Sequence, residues 1–154
     1  MDIQRVPSGL DRTTRDYPAT PAPVDPVADA RTLMAVPAET VLGLFDRTVE
    51  RWGLDRARKL ALLGRCSPAT YARWKRDPAK ATIDLGTRER IGHVLGIQAN
   101  LVALFGPGEA ADGWVLRPNT GHAFGGVAPI VHLTSGLTSA LSEVRLGLAR
   151  ELAR

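Results

Sequence analysis

The chain has 154 residues, enough for one domain or two very small ones, and 44% of them are apolar. A single cysteine, Cys66, excludes an intramolecular disulfide and any metal motif built from paired cysteines. No run of roughly 18 apolar residues predicts a membrane span, and Asp2 stands where a signal peptide would carry basic residues. We therefore expect a cytoplasmic protein that has no membrane association.

The net charge of +4 is concentrated in the middle of the chain. Between Arg51 and Arg90 there are 11 basic and 4 acidic residues, a local balance of +7. The remainder holds 9 basic and 12 acidic residues, a balance of −3. A basic middle third indicates an anionic partner such as nucleic acid. A solvated helical surface would give the same pattern, and charge alone does not separate the two interpretations.

Residues 1–36 differ from the rest in composition. The stretch DYPATPAPVDPVADA contains four prolines and almost no large apolar side chain. Ordering such a segment would cost conformational entropy with little burial in return. We expect residues 1–36 to form a disordered or flexible N-terminal arm.

Three short helices are predicted next. Apolar residues repeat at helical spacing between Pro37 and Trp52, which predicts the first helix. The stretch LDRARKLALLG predicts the second, closed by its glycine. Ser67-Pro68 predicts the start of a third, SPATYARWKR, because Ser is a favoured N-cap and Pro a favoured first helical residue.

The second and third of these helices match a helix-turn-helix pattern, with a glycine in the turn and basic residues in the second helix. Tyr71 and Trp74 are expected to pack inward. The outer face and the ends of the third helix then carry hydroxyl and cationic donors of the kind that contact DNA. These candidate DNA-binding residues are Ser67, Thr70, Arg73, Lys75 and Arg76. Alanines at positions 69 and 72 favour phosphate contacts over base readout, and any three-helix bundle contains similar hairpins.

The rest of the chain is also predicted to be helical. A longer helix runs to Phe105, with a bend near Gly96 and Gln98, and a short helix in GEAADGWVL follows. Residues 129–134 predict one helical turn. A final amphipathic helix carries an apolar stripe expected to face inward, formed by Leu137, Leu141, Val144, Leu148 and Leu152. The predicted fold class is all-α, with a helix-turn-helix bundle over residues 37–100 and a small helical domain over residues 101–154.

One stretch in the second domain is unusual, because residues 118–142 contain no Asp, Glu, Lys or Arg. Surfaces that a protein partner covers are depleted in charge, since burying an unpaired ion costs several kcal/mol. The alternative is that the run folds over the protein's own core. We expect both, with Trp114, Phe124 and Leu133 inside and the glycine-rich loop and last helix facing a partner.

The segment LFGPGEAADGWVLRPNTGHAFGGVAPIVHLTSGLTSAL resembles the C-terminal domain of the Xre/MbcA/ParS family of type II antitoxins. The matching residues share their spacing with the family; they are Leu104-Phe105-Gly106, Ala110-Ala111, Trp114, Pro118-Asn119, Gly125-Gly126, Pro129, Leu133 and Gly136. The helix-turn-helix region is similar to the family's N-terminal half, so the resemblance covers about residues 37–154.

The resemblance implies an all-helical antitoxin that neutralises a cognate toxin carrying a RES domain. Such toxins consume NAD by hydrolysis, phosphorolysis or ADP-ribose transfer. The C-terminal domain of the antitoxin would cover the NAD pocket, and the N-terminal domain would bind operator DNA and repress the operon. We expect a homodimer within a toxin–antitoxin hetero-oligomer. The candidate toxin-binding residues are Asn119, His122, Gly125, Gly126, Arg145, Arg150, Glu151 and Arg154.

Other chemistry is not expected. No two of the three histidines are spaced to share a helical face, and no nucleophile stands beside a suitable base, so we predict neither a metal, a cofactor nor a catalytic residue. Two alternatives to an antitoxin remain. One is a helix-turn-helix transcriptional regulator with a dimerising C-terminal domain. The other is an interaction scaffold that no longer binds DNA.

Overall fold

The computed structural model describes residues 30–64, 66–121 and 124–154, and all regular secondary structure in these ranges is helical. The helices in chain order are α1 (Ala30–Met34), α2 (Ala38–Arg51), α3 (Arg56–Leu62), α4 (Pro68–Arg76), α5 (Leu85–Phe105), α6 (Glu109–Asp112), α7 (Pro129–Leu133) and α8 (Thr138–Leu152). Two 3₁₀ turns, Pro78–Lys80 and Trp114–Leu116, follow α4 and α6. The predicted all-α class is confirmed.

Side-chain caps fix the starts of three helices. The residue before the helix accepts a hydrogen bond from the backbone N–H three positions later at Asp55 (2.9 Å), Ser67 (3.1 Å) and Asp84 (2.7 Å). Each cap satisfies one of the N–H groups that a helix leaves unpaired at its start. At Asp84, the hydrogen bond from the backbone N–H of Thr87 also holds the pKa of the carboxyl group below its usual value. The third predicted helix therefore begins where Ser67-Pro68 places it.

Helix α5 lies at the centre of the fold. Helices α1, α2, α6 and α8 all pack against it, and α8 makes the most extensive contact. One hydrophobic core contains Phe45 of α2, Trp74 of α4, Ile97 of α5 and Leu148 of α8. The predicted boundary between residues 100 and 101 falls inside α5, so the two predicted domains share a helix and a core.

The N-terminal arm needs a correction over its last seven residues. Residues 30–36 were expected to be flexible, yet α1 packs on α5 and Leu33 is 1% exposed. The buried guanidinium of Arg88 on α5 donates hydrogen bonds to the carbonyl oxygens of Leu33 and Val36, the latter at 2.8 Å. A buried cation with these acceptors fixes the segment to the core. Residues 1–29 lie outside the described ranges.

The polar residue Gln98 has a different role from the predicted bend, because α5 is continuous from Leu85 to Phe105. Its side chain is buried and accepts a hydrogen bond from Nε1 of Trp52 at 2.7 Å. Its amide nitrogen donates to Oδ1 of Asp112 at 2.7 Å. The chain of bonds links α2, α5 and the end of α6 through the core.

Candidate functional site

The first candidate surface is that of α4, where Ser67 and Thr70 lie at the N-terminus. Ser67 Oγ accepts from the backbone N–H of Thr70 at 3.1 Å and donates to its hydroxyl oxygen at 2.9 Å. Arg56 of α3 donates to the carbonyl oxygen of Pro68 at 3.2 Å. These two hydroxyls therefore build the start of the helix, and the hydroxyl proton of Ser67 is already engaged.

Lys75, which was predicted to bind DNA, forms an ion pair within the protein. Its Nζ lies 2.7 Å from Oδ2 of Asp46 on α2, a carboxylate whose side chain is only 15% exposed. The hydroxyl of Tyr71 donates to the other oxygen of the same carboxylate. Burial, and then the hydrogen bond to Asp46, raise the pKa of Tyr71 above its usual value. Asp46 thus neutralises Lys75, and this ion pair ties α4 to α2, although the lysine side chain is still 47% exposed.

Arg73 and Arg76 are the cations of α4 that remain available. Both are exposed, and neither side chain makes a hydrogen bond or ion pair with another described residue. A cavity of about 270 Å³ lies beside Arg73, lined also by Trp74, Asp77 and Lys80. The Lys80 side chain is 85% exposed and its Nζ lies 3.4 Å from Asp77 Oδ2, a weak surface pair. Lys80 was missed as a candidate, although its position just after the Asp77-Pro78 helix stop was visible in the sequence.

The second candidate surface is formed by residues 119–121 and 124–127, the described part of a loop that Asn119 organises from inside. Asn119 is 2% exposed, and its side-chain oxygen accepts from the backbone N–H of Gly121 at 2.8 Å. Its backbone carbonyl accepts from Gly126 at 2.9 Å, and its N–H donates to Val127 at 3.3 Å. Asn119 was predicted to contact a partner. It lies beneath the loop instead, where its side-chain amide oxygen provides an acceptor for a backbone N–H of the loop.

Gly125 and Gly126 lie at the exposed tip of this loop. Their φ angles are +56° and +86°, in the left-handed region that other L-residues adopt at a cost. A Cβ added to either would meet no atom within 4 Å. The loop needs these glycines for the turn itself, and their surroundings leave the tip open to a partner. His122, also predicted to bind a partner, lies outside the described residues.

An aromatic cluster supports the loop from below. Trp114 and Phe124 are 3% and 4% exposed and meet edge to face, with ring centroids 5.8 Å apart. The ring of His132 on α7 also meets Phe124 edge to face, with ring centroids 5.4 Å apart. Trp114, Phe124 and Leu133 were expected in the core, and all three are buried there. Such pairs fix the loop on α7 through packing.

The charge-free run exposes apolar side chains on its outer side. Val127, Val131 and Leu137 are 42%, 55% and 63% exposed. We call these three residues the α7 surface, since they lie before, on and after α7. The charge-free run therefore both covers the core and leaves apolar area in contact with water.

In the last helix, α8, the buried residues differ in part from the apolar stripe that the sequence predicted. Leu141, Val144 and Leu148 are buried as predicted. Leu137 and Leu152 are exposed, because they lie at the two ends of α8 where the contact with neighbouring helices stops. The outer face instead carries Leu146, which is 52% exposed.

Arg145 was expected on the partner-facing side of α8 and lies against α5. A Cβ on Gly96 would stand 2.5 Å from Arg145 Nε, so the absent side chain at Gly96 makes room for the guanidinium. Its Nη1 is 3.4 Å from Nδ1 of His93, and Asn100 donates to its backbone carbonyl at 3.2 Å. Burial, and then the charge of Arg145, lower the pKa of His93 below its usual value.

The remaining predicted residues of α8 are at or near the surface. Arg150 is exposed, and its side chain makes no hydrogen bond or ion pair within the described ranges. Arg154 Nη2 lies 3.2 Å from Glu151 Oε1, whose side chain is 14% exposed. Of the predicted charged partner residues, Arg150 is therefore exposed and makes no such bond within the described ranges, whereas Arg145 is used internally.

Within the described ranges, no group of three or more His, Cys, Asp or Glu residues is arranged to hold a metal ion. The helices of those ranges also lack the combination of length and apolarity that a bilayer crossing requires.

Comparison with known proteins finds similarity over part of the chain. The chain is 40% identical over 84 residues to the uncharacterized protein y4oB of Sinorhizobium fredii (strain NBRC 101917 / NGR234). The match covers 54% of this chain and 62% of the length of that protein. No protein family model matches the chain, and no solved structure matches it.

Proposed function

We propose that this protein is the antitoxin of a type II toxin–antitoxin system and neutralises a RES-domain toxin that consumes NAD. The resemblance of residues 104–141 to the Xre/MbcA/ParS family motivates the proposal. The observation that carries it is the α7 surface, where Val127, Val131 and Leu137 are exposed within 25 residues that hold no charge. A partner can cover this area without stranding an ion.

The mechanism is steric. The tip of the loop at Gly125 and Gly126 projects into open space and is fixed from below by Asn119 and Phe124. Because residues 124–127 are already held in this way, they lose little entropy when they dock, which favours affinity. We propose that this loop and the α7 surface cover the mouth of the toxin's NAD pocket, and that the substrate is excluded because the space is occupied.

The same proposal assigns DNA binding to the α4 surface. Arg73, Arg76 and Lys80 are exposed cations near its C-terminal end, and phosphate contacts need this kind of donor. Ser67 donates its hydroxyl proton to Thr70, so of these two hydroxyls only that of Thr70 can still donate to a base. Repression of the operon would depend more on phosphate contacts and on assembly than on base recognition by one helix.

The test is NAD consumption by the purified toxin encoded beside this protein, with wild type or variants at matched concentrations. Val131→Asp and Leu137→Asp place unpaired carboxylates on the α7 surface, and we expect each to weaken inhibition about 100-fold or more. Leu85→Asp is the matched control, because Leu85 is 51% exposed and begins α5. Inhibition by both α7 variants equal to that by wild type would disprove this assignment of the surface.

The second candidate function is a transcriptional regulator with a helix-turn-helix and a dimerising C-terminal region. The free guanidinium groups of Arg73 and Arg76 favour it independently of any toxin. The two functions separate in one experiment. A regulator binds its own promoter DNA and leaves NAD consumption by the neighbouring gene product unchanged, whereas an antitoxin stops that consumption with no DNA present.

A further inference from the structure

The cavity of about 270 Å³ beside α4 lies where that helix ends and the chain turns back through Pro78–Lys80. Six residues line it: Arg73, Trp74, Asp77, Lys80, Ala81 and Thr82. Trp74 is 6% exposed and belongs to the hydrophobic core, so its part of the wall is rigid. Sites for small molecules are concave and combine apolar walls with a few converging polar groups. The cavity has this composition, at a size that suits a ligand smaller than a typical drug.

The backbone that carries the polar groups of the cavity is already fixed. The 3₁₀ turn Pro78–Lys80 packs on both α2 and α4. The N–H of Asp77 donates to the carbonyl oxygen of Arg73 at 3.1 Å, and the N–H of Lys80 donates to that of Asp77 at 3.1 Å. These bonds bring Lys80 back toward the last turn of α4, so two cations seven positions apart line the same cavity. A ligand that binds there does not have to order the backbone, which favours affinity.

The polar groups of the cavity have complementary chemistry. Arg73 is exposed and its side chain makes no hydrogen bond or ion pair with another described residue, and Lys80 is held only by its weak pair with Asp77. Guanidinium and ammonium groups are strong donors to phosphate. The carboxylate of Asp77 repels a bare phosphate ion but accepts from a hydroxyl group, and the exposed hydroxyl of Thr82 can donate and accept. Together these groups match a molecule that carries both a phosphate and hydroxyl groups.

We propose that this cavity binds a small phosphate monoester that bears hydroxyl groups, such as a sugar phosphate. The phosphate lies between Arg73 and Lys80, and a hydroxyl of the ligand donates to Asp77. A monoester carries nearly two negative charges at neutral pH, which two cations balance. A phosphodiester of the DNA backbone carries one. The charge of the cavity therefore favours a monoester ligand over a DNA phosphate.

Occupation of the cavity has a consequence for the α4 surface. Arg73 lines the cavity and is also one of the cations assigned to DNA phosphates. A bound monoester engages this guanidinium and removes a phosphate contact, so the ligand lowers the affinity for promoter DNA. This consequence rests on the proposed DNA binding, whereas binding of the ligand itself does not.

The first experiment is titration calorimetry of the full chain at one ionic strength with ribose 5-phosphate, glycerol 3-phosphate, inorganic phosphate and dimethyl phosphate. We expect saturable binding of at least one of the two hydroxyl-bearing monoesters, and the weakest binding for dimethyl phosphate. Arg73→Gln and Lys80→Gln should each weaken monoester binding roughly tenfold or more, because each removes a charge-assisted hydrogen bond. Arg76→Gln removes the same charge from the same helix outside the cavity and should weaken it much less. Absence of saturable monoester binding, or an equal loss in the Arg76 variant, would overturn the proposal.

Asp77→Asn tests recognition of the hydroxyl group. This change should weaken binding of the hydroxyl-bearing monoesters and strengthen binding of inorganic phosphate, because it removes an anionic acceptor beside the phosphate. A shift in the same direction for both kinds of probe would contradict the role given to Asp77. Circular dichroism verifies that each variant is folded.

The second experiment measures promoter DNA binding by fluorescence anisotropy while the monoester that binds is added, with sodium chloride keeping the ionic strength constant. The monoester should weaken DNA binding by the wild type and have much less effect on Arg73→Gln. DNA that stays bound at a saturating concentration of the monoester would show that the two ligands do not compete for Arg73. If the wild type binds no promoter DNA at all, the DNA assignment of the α4 surface is wrong, and calorimetry still decides whether the cavity binds its ligand.

Discussion

The α4 surface and the C-terminal segment from Asn119 to the end use their polar residues in opposite ways. On α4, Arg73 and Arg76 are free and Lys75 is tied to Asp46. In the C-terminal segment, Asn119 and Arg145 are used internally, and the α7 surface that faces water is apolar. The difference shows that residue type identifies which side chains could bind a partner. Contacts with residues distant in sequence then determine which of those side chains are available to do so.

Substituting Asn119 is expected to give the largest effect, a loss of stability that distinguishes a polar group used inside the protein from one available to a partner. Asn119→Ala removes the acceptor for Gly121 and leaves a cavity under the loop, which should lower stability by about 2–3 kcal/mol. Ser139→Ala, at an exposed position of α8, is the control and should cost much less. Chemical unfolding measures both. Similar losses for the two variants would mean that Asn119 does not organise the loop.

The next effect concerns the free cations of α4. Arg73→Ala and Arg76→Ala should each weaken binding to promoter DNA and reduce the slope of log affinity against log salt by about 0.9, the contribution of one phosphate contact. Lys75→Ala should change this slope less, because Asp46 already neutralises the lysine. Fluorescence anisotropy at several salt concentrations gives the slopes. A larger slope change for Lys75 than for the arginines would reverse the assignment.

A smaller effect is expected on stability at the same helix. Lys75→Ala should lower the free energy of unfolding by up to about 1 kcal/mol, because it breaks a partly exposed ion pair with Asp46. Arg76→Ala should leave it nearly unchanged. Thermal unfolding of the two variants makes the comparison, and equal stability of both would show that the lysine pair contributes nothing.

The smallest effect is a pH dependence from His93. Because its pKa is lowered in the folded protein, the unfolded chain binds a proton more readily than the folded chain as pH falls below about 6.5. Stability should therefore decline as pH is lowered through that range, by a few degrees in Tm. His93→Gln should flatten the dependence. An identical pH profile for the variant would assign the effect to other groups.

Much of the fold was predictable because its signals are local. Ser67-Pro68 determines the start of α4, and Gly106 the end of α5, within a few residues of chain. The buried positions of Trp114, Phe124 and Leu133 also followed from their size and apolar character. Fold class and the positions of the helices after α1 therefore come from spacing and capping residues.

The contacts that the sequence did not indicate join distant parts of the chain. Lys75 meets a carboxylate 29 positions earlier, and Arg145 occupies the space left by Gly96 on another helix. Leu33 is held by Arg88, 55 positions later. No local pattern indicates these partners. Gly96 and Gln98 are irregular within the apolar pattern of α5, which predicted a bend. Gly96 instead leaves room for Arg145, and Gln98 hydrogen-bonds to Trp52 and Asp112; both roles depend on neighbouring helices.

The central position of α5 has a consequence for how this protein can be recombined with related chains. At 21 residues it is about 32 Å long, and it contributes to the packing of both the α2 and the α8 sides. A chimera joined between residues 100 and 101 would unite two unequal pieces of α5, residues 85–100 and 101–105, whose side chains evolved against different neighbours. The usable crossover points are the connections at residues 81–84 and 106–108, so α5 must travel whole with one parent, and its interfaces with the other parent's helices must then be redesigned.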